Sequence, residues 1–333
     1  MFAGAALVAQ CEALCGRCER VRVDRAAAAA FAATIDLADA RAGPPAGSTE
    51  GTEERTAALL LCWNAINFSY YPDDGEARWR WRAPDGTEYG ADDEANGVVA
   101  ALAHANGADG APHLASPAFL SSITADAMRD SLLRAAPGAG VLPLAEERAA
   151  ALREVGDGLA RLGLTPLGLV RAAGGSAARF VGTLISEFRL YADTSPAPHE
   201  IGFHKRAQLC ASMLHAARVG GGFSDMSELT VFADYRLPQL LRAPSVAILH
   251  LAPDLGAAID RAEPIPPNSA DEVAIRAATV VAGAVLTCAM RARGGVASDL
   301  TTAQLDYYLW KTAVARDAAG ELPPFHRTRC TAY

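Results

Sequence analysis

A-D-E-V-A-I-R-A-A-T-V-V-A-G-A-V-L-T-C-A-M-R, residues Ala270–Arg291, is the stretch whose reading decides the fold. Its spacing puts Val273, Ala277, Val280, Val281 and Ala284 on one side of a long helix and predicts that side to be buried. The apolar run Val280–Met290 is too short to span a bilayer and runs into Arg291 and Arg293. A core helix of a soluble protein is therefore expected, with no membrane segment.

Outward from it, the pattern stays helical. Helices are predicted over Glu94–Ala105, Thr124–Ala135, Ala145–Leu162, Pro166–Ala172, Ala177–Glu187, Phe203–Ala217 and Thr301–Ala315, with a further helix start at Ser227–Val231. Thr124 is the expected cap of its helix, and Gly220–Gly222 ends the helix Phe203–Ala217. Thr56–Phe68 places Leu60, Trp63, Asn64 and Asn67 on one helical stripe. Residues 1–40 read as two helical pieces around an extended Val21–Asp24, and Arg41–Glu54 as a flexible polar loop. Ala77–Tyr89 reads as a hairpin turned by P-D-G, with Trp79 and Trp81 alternating with arginines. The fold class is mainly α with a small β-hairpin. The chain divides into a divergent N-terminal segment, 1–54, and a principal domain, 55–333.

Composition narrows the function classes. A net charge of −8 argues against a protein that grips nucleic-acid backbone, though a small phosphorylated ligand needs only a local cluster of cations. Seven scattered cysteines and a start without a basic signal region fit a reducing cytoplasm. Cys11, Cys15 and Cys18 have the C-x3-C-x2-C spacing of a radical SAM iron–sulfur motif. The motif begins almost at the first residue, and no preceding strand or βα repeat accompanies it. It is read as structural, and neither a metal nor a cofactor is expected.

The chemistry centres on L-T-V-F-A-D-Y-R-L-P-Q-L-L, Leu229–Leu241. Phe232, Asp234, Tyr235 and Arg236 stand together just before Pro238, which puts Asp234 on a bend or helix start. A carboxylate there suits a pocket, and it equally suits a helix cap with Arg236 solvated. Four further stretches follow in order: N-A-I-N-F-S-Y-Y-P-D (Asn64–Asp73), F-H-K-R-A-Q-L (Phe203–Leu209), I-R-A-A-T-V (Ile275–Val280) and P-F-H-R-T-R-C-T-A-Y (Pro324–Tyr333). Together these resemble the queuosine salvage family, the queuosine 5′-phosphate N-glycosylases, over about residues 55–333.

The resemblance implies a scaffold like the helical DNA glycosylases of the helix-hairpin-helix type. It also implies hydrolysis of queuosine 5′-monophosphate to queuine and ribose 5-phosphate, with Asp234 as the catalytic carboxylate. Breaking an N-glycosidic bond develops positive charge on the sugar, which a carboxylate stabilises while it orients or deprotonates water. Queuine is a 7-deazaguanine, so protonation at N7 cannot assist its departure. Asn67, Phe68, Tyr70 and Tyr71 are the expected pocket residues for the base, beside Tyr235. Lys205, Arg236, His326 and Arg327 are the candidate cations for the 5′-phosphate; Arg206 adjoins Lys205, and one of the two is expected to face the site. Tyr333 is expected to fold back into it. Asn64 stands where relatives carry aspartate, Tyr71 where they carry tryptophan, and the acids in G-A-D-D-E-A-N-G-V-V (Gly90–Val99) replace apolar residues. Partners beyond the nucleotide, whether nucleic acid or membrane, are not expected. The rival readings are a nucleic-acid base glycosylase, a nucleotide-binding protein without turnover, and an iron–sulfur protein.

Overall fold

In the computed structural model, which describes residues 2–44, 52–73, 75–90, 93–107 and 114–333, Ala270–Arg291 is one uninterrupted helix. The Ser269 hydroxyl accepts the Glu272 N–H, acids occupy the first turn and Arg291 the last, so both ends complement the helix dipole. Burial is not confined to one side. Every residue from Glu272 to Gly283 is buried, whereas Ala284 is only half-buried. The helix is long and apolar enough to cross a membrane by length and composition, yet it lies mostly inside the protein. Alanine and glycine make that position attainable, because neighbours approach closely. A Cβ on Gly283 would stand 2.4 Å from Cγ1 of Val231, in the segment leading to Asp234.

Helices Gly4–Cys15 and Arg25–Thr34 pack on this central helix, as does Thr302–Ala318. The described N-terminal residues thus contribute to the main core, which includes Leu7, Cys11 and Ala28. Burial pushes the Cys11 thiol far above its ordinary pKa and that of Cys15 to about 11. Among the described residues, no three His, Cys, Asp or Glu side chains are grouped as metal ligands.

The fifteen α-helices among the described residues dominate, with four short strands: β1 (Val21–Val23), β2 (Trp81–Arg82), β3 (Glu88–Tyr89) and β4 (Leu249–Leu251). The protein is mainly α. β2 and β3 form the expected hairpin, with Trp81 opposite Tyr89, but it is shorter than the sequence suggested. The chain before it pairs elsewhere: Arg78 and Arg80 carbonyls accept N–H groups of Gly140 and Ala136, and buried Trp79 donates from Nε1 to the Leu133 carbonyl at 3.1 Å. That docking explains a second correction. Thr124–Ala135 is not one α-helix; Thr124 caps Ala125–Ala127, a π-helical turn follows at Met128–Leu132, and the chain leaves helical geometry at Leu133. β1 pairs antiparallel with β4, joining two segments that the sequence had shown only as short and extended or apolar.

Ser227–Val231 does not start an α-helix. Met226–Glu228 is a single 3-10 turn, Leu229 is extended, and the chain runs without regular structure to Asp234. Of the Arg41–Glu54 segment, 45–51 lie outside the described residues, as does Asp92 of the acidic trio. Arg41 closes the helix Leu37–Ala42, and Thr52 caps the helix that begins at Glu53.

Candidate active site

Four helices and one bend enclose a cavity of about 330 Å³. Glu53–Ala65 presents Thr56, Leu59, Leu60 and Trp63, and Lys205–Ala216 presents Lys205, Leu209, Ser212 and Met213, each set at helical spacing. Thr302–Ala318 contributes Asp306, Tyr307 and Trp310, the last two stacked with ring centroids 5.8 Å apart. Glu94–Gly107 lays Ala95, Val99 and Ala100 along the fourth side, with Asp93 just before it. The bend Phe232–Arg236 closes the floor.

Asp234 serves two purposes at once. Its Oδ1 accepts the N–H of Arg236 at 2.8 Å and of Leu237 at 3.0 Å, capping the short helix Arg236–Leu241. Pro238 fits that first turn because its missing N–H had no intrahelical partner to lose. The same carboxylate is only 9% exposed and lines the cavity. Burial raises its pKa, while the Lys205 ammonium and the two capping N–H groups oppose the rise.

Lys205 donates from Nζ to Asn67 Oδ1 at 3.1 Å, and Asn67 also lines the cavity. Burial lowers the Lys205 pKa, against the pull of Asp234 and Asp306. Arg206, one position on, turns away to the carbonyls of Ala65 and Leu190. Phe68 and Tyr70 line the cavity as well. Arg148 staples their loop by donating to the carbonyls of Ile66, Phe68 and Ser69, an 80-residue reach that local sequence did not disclose. Asn64, on the same helical stripe as Trp63, instead donates to Leu60 O at 2.8 Å within its own helix.

Arg236 lines the cavity but is buried rather than solvated, its Nη1 donating to Asp317 at 2.6 Å and Gln239 at 3.2 Å. Tyr235 also faces the cavity, backed by Tyr71 and Phe325 with ring centroids 5.6 and 4.8 Å away. Tyr71 itself therefore lies one layer behind. His326 and Arg327 do not line the cavity. The His326 ring is buried behind Tyr333, 3.3 Å from its hydroxyl, and burial with Arg276 and Arg242 nearby lowers its pKa to about 3. It is neutral at pH 7. Arg327 forms a backbone bridge to Pro264, accepting the Ile265 N–H on its carbonyl. Tyr333 reaches the cavity, tied by its hydroxyl to Glu272 at 2.9 Å.

Two acids in the cavity were not singled out from the sequence. Asp93 belongs to the acidic stretch noted only as a departure. Asp306 sits in a helix whose amphipathic pattern gave no reason to distinguish it. Its Oδ1 accepts the Phe232 N–H at 2.7 Å, and burial first, then the Asp234 charge, lifts its pKa well above the carboxylate range. A carboxyl held protonated in the fold and ionised when unfolded stabilises below its unfolded pKa of 3.8 and loses that stabilisation as pH rises through the folded pKa. Asp306→Asn, which keeps the acceptor for Phe232, is expected to raise the urea midpoint at pH 7 and leave it unchanged near pH 3.5. Equal midpoint shifts at both pH values would show that Asp306 is not buried as an acid.

The sequence model of the queuosine salvage protein family matches residues 48–333. The chain is 37% identical over 286 residues to a queuosine 5′-phosphate N-glycosylase/hydrolase of Sphaerobacter thermophilus, covering 84% of this chain and 82% of that one. The Mus musculus protein of the same name is 28% identical over 295 residues, 85% of this chain and 83% of its own. One from Dictyostelium discoideum is 31% identical over 192 residues, covering 56% of this chain and 58% of that protein.

Proposed function

Because the chain belongs to the queuosine salvage protein family, we propose that it is an N-glycosidase that hydrolyses queuosine 5′-phosphate, releasing queuine for salvage. The observation that carries the reading is Asp234: a buried carboxylate on the cavity floor, anchored through one oxygen by two backbone N–H groups.

In the reaction, the bond from C1′ to the base nitrogen breaks and its electron pair leaves with the base. Water oxygen bonds to C1′ and gives up a proton. Positive charge grows on C1′ and the ring oxygen meanwhile, and a preorganised carboxylate stabilises it in a site that excludes bulk water. Asp234 fits that role and the acceptance of the water proton. The departing base needs a proton in return. Lys205, whose charge acts on Asp234, and Asp306, whose pKa the Asp234 charge helps to raise, are proton-bearing side chains that line the same cavity. The flat faces of Phe68, Tyr307 and Trp310 suit a planar base. Of the cations expected to meet the phosphate, Lys205 and Arg236 reach the cavity.

The test is incubation of the purified protein with queuosine 5′-monophosphate and chromatography for free queuine. Release supports the glycosidase. Tight binding without release selects a nucleotide-binding protein instead.

A further inference from the structure

We propose that Asp93 is the counter-ion for a protonated alkylamine on the substrate's base, so that this carboxylate sets a preference for amine-bearing nucleotides. The proposal rests on the glycosidase reading above and adds to it the group that selects the base's substituent.

Asp93 lines the cavity although it is only 6% exposed. Its Oδ1 accepts the Ala95 N–H at 2.7 Å, which caps the helix Glu94–Gly107. None of the ion pairs seen among the described residues includes it. Burial, and after it the Asp234 charge, raise its pKa, and Arg236 and Arg78 oppose that rise only through space, so a bound cation is what would favour the ionised form. The Arg236 guanidinium is engaged with Asp317 and Gln239, and Arg78 pairs with Glu94 at 3.4 Å. A buried carboxylate without a bonded cation is costly, and a ligand cation arriving through the cavity would relieve that cost.

A second observation points to a polar ligand in the same corner. Trp63 Nε1 and the Tyr70 hydroxyl are each more than nine-tenths buried, line the cavity, and have no hydrogen-bond partner of normal geometry. They lie beside one another, and Asp93 is near enough to act on Tyr70. Trp63 Nε1 can only donate and is turned toward Tyr70, which leaves the Tyr70 oxygen as the buried acceptor open to a ligand donor such as an ammonium. A carboxylate near a buried phenol oxygen suits an ammonium, which gains from the charge and from a hydrogen bond to that oxygen. A phosphate would meet like charge there.

Queuine carries its amine on an aminomethyl arm, so the proposal predicts a difference between two substrates. Asp93→Asn keeps the side chain's size and its capping oxygen while removing the charge. Rates on queuosine 5′-monophosphate are compared with those on 7-deazaguanosine 5′-monophosphate, which lacks the amine. The wild-type preference for the amine-bearing nucleotide, as a ratio of kcat/KM, is expected to fall about 10- to 100-fold in the variant, mainly through KM. An unchanged ratio would overturn the proposal, whether the variant loses activity on both substrates, as a carboxylate reading the guanine-like edge would, or on neither. Calorimetric binding of free queuine against 7-deazaguanine gives the same ratio without turnover. It therefore decides the role of Asp93 even if the wild type cleaves neither nucleotide, an outcome that would refute the glycosidase reading separately. Thermal melting of the variant confirms that it is folded.

Discussion

Asp234→Asn is expected to lower the rate of base release by about 10³-fold or more while leaving the protein folded, the range lost when a preorganised charge is taken from a transition state. The fold should tolerate the change because asparagine caps helices about as well as aspartate, and its oxygen can still accept the N–H groups of Arg236 and Leu237. Burial raises the Asp234 pKa, so its carboxylate form costs stability at neutral pH. The neutral amide removes that cost, and the variant should melt no lower than the wild type at pH 7. Chromatographic assay of base release beside a melting curve separates the two effects. A variant that keeps release within a few-fold of wild type would reduce Asp234 to a helix cap. One that loses both release and fold would say nothing for catalysis but would contradict the capping argument.

The largest effect on stability is expected at Arg276. Its guanidinium lies in the core, forked onto Asp193 at 2.9 and 2.5 Å, 3.6 Å from Glu272, and packed over the rings of Phe203 and Tyr333. Its Nε also reaches the Ala233 carbonyl at 3.3 Å, so the same residue holds the bend that carries Asp234. Asp193 in turn accepts the Lys205 N–H at 3.3 Å. The hub thus ties both charged walls of the cavity to the central helix. Arg276→Leu leaves Asp193 buried without its cation, a change that costs about 3–5 kcal/mol. Adding Asp193→Asn removes the stranded charge and should recover part of the loss, which a double-mutant cycle in urea would measure. Additive losses would mean that the two residues do not depend on each other.

These two positions differ in how visible they were beforehand. Asp234 stands in a compact run of chemically loaded residues at a proline-marked bend, and a local pattern discloses it. Arg276 sits in an alanine-rich helix whose pattern suggests only burial, and its partner lies 83 residues earlier. Lys205 and Arg206 show an intermediate case. Helical spacing required them to diverge, but which one meets the cavity followed from where Ala65 and Leu190 offer carbonyls. Asp93 was legible only as an oddity of charge, because nothing local says whether an acid before a helix faces water or a cavity.

By itself the sequence determined most of the helices, including Ala145–Leu162, Pro166–Ala172, Ala177–Glu187 and Ala270–Arg291, whose bounds match the structure to the residue. Helical periodicity, capping residues and a first-turn proline all act within a few positions along the chain, so local chemistry is enough to place them. Only the tertiary structure decided the rest: the β1–β4 pairing, the break after Thr124–Ala127, the company of Asp93 and Asp306 with Asp234, and the setting of His326 behind the cavity. Each depends on groups far apart in sequence that meet only once the helices have packed. Burial then changes their chemistry, because removing water raises the pKa of acids, lowers that of bases, and makes the choice of partner decisive.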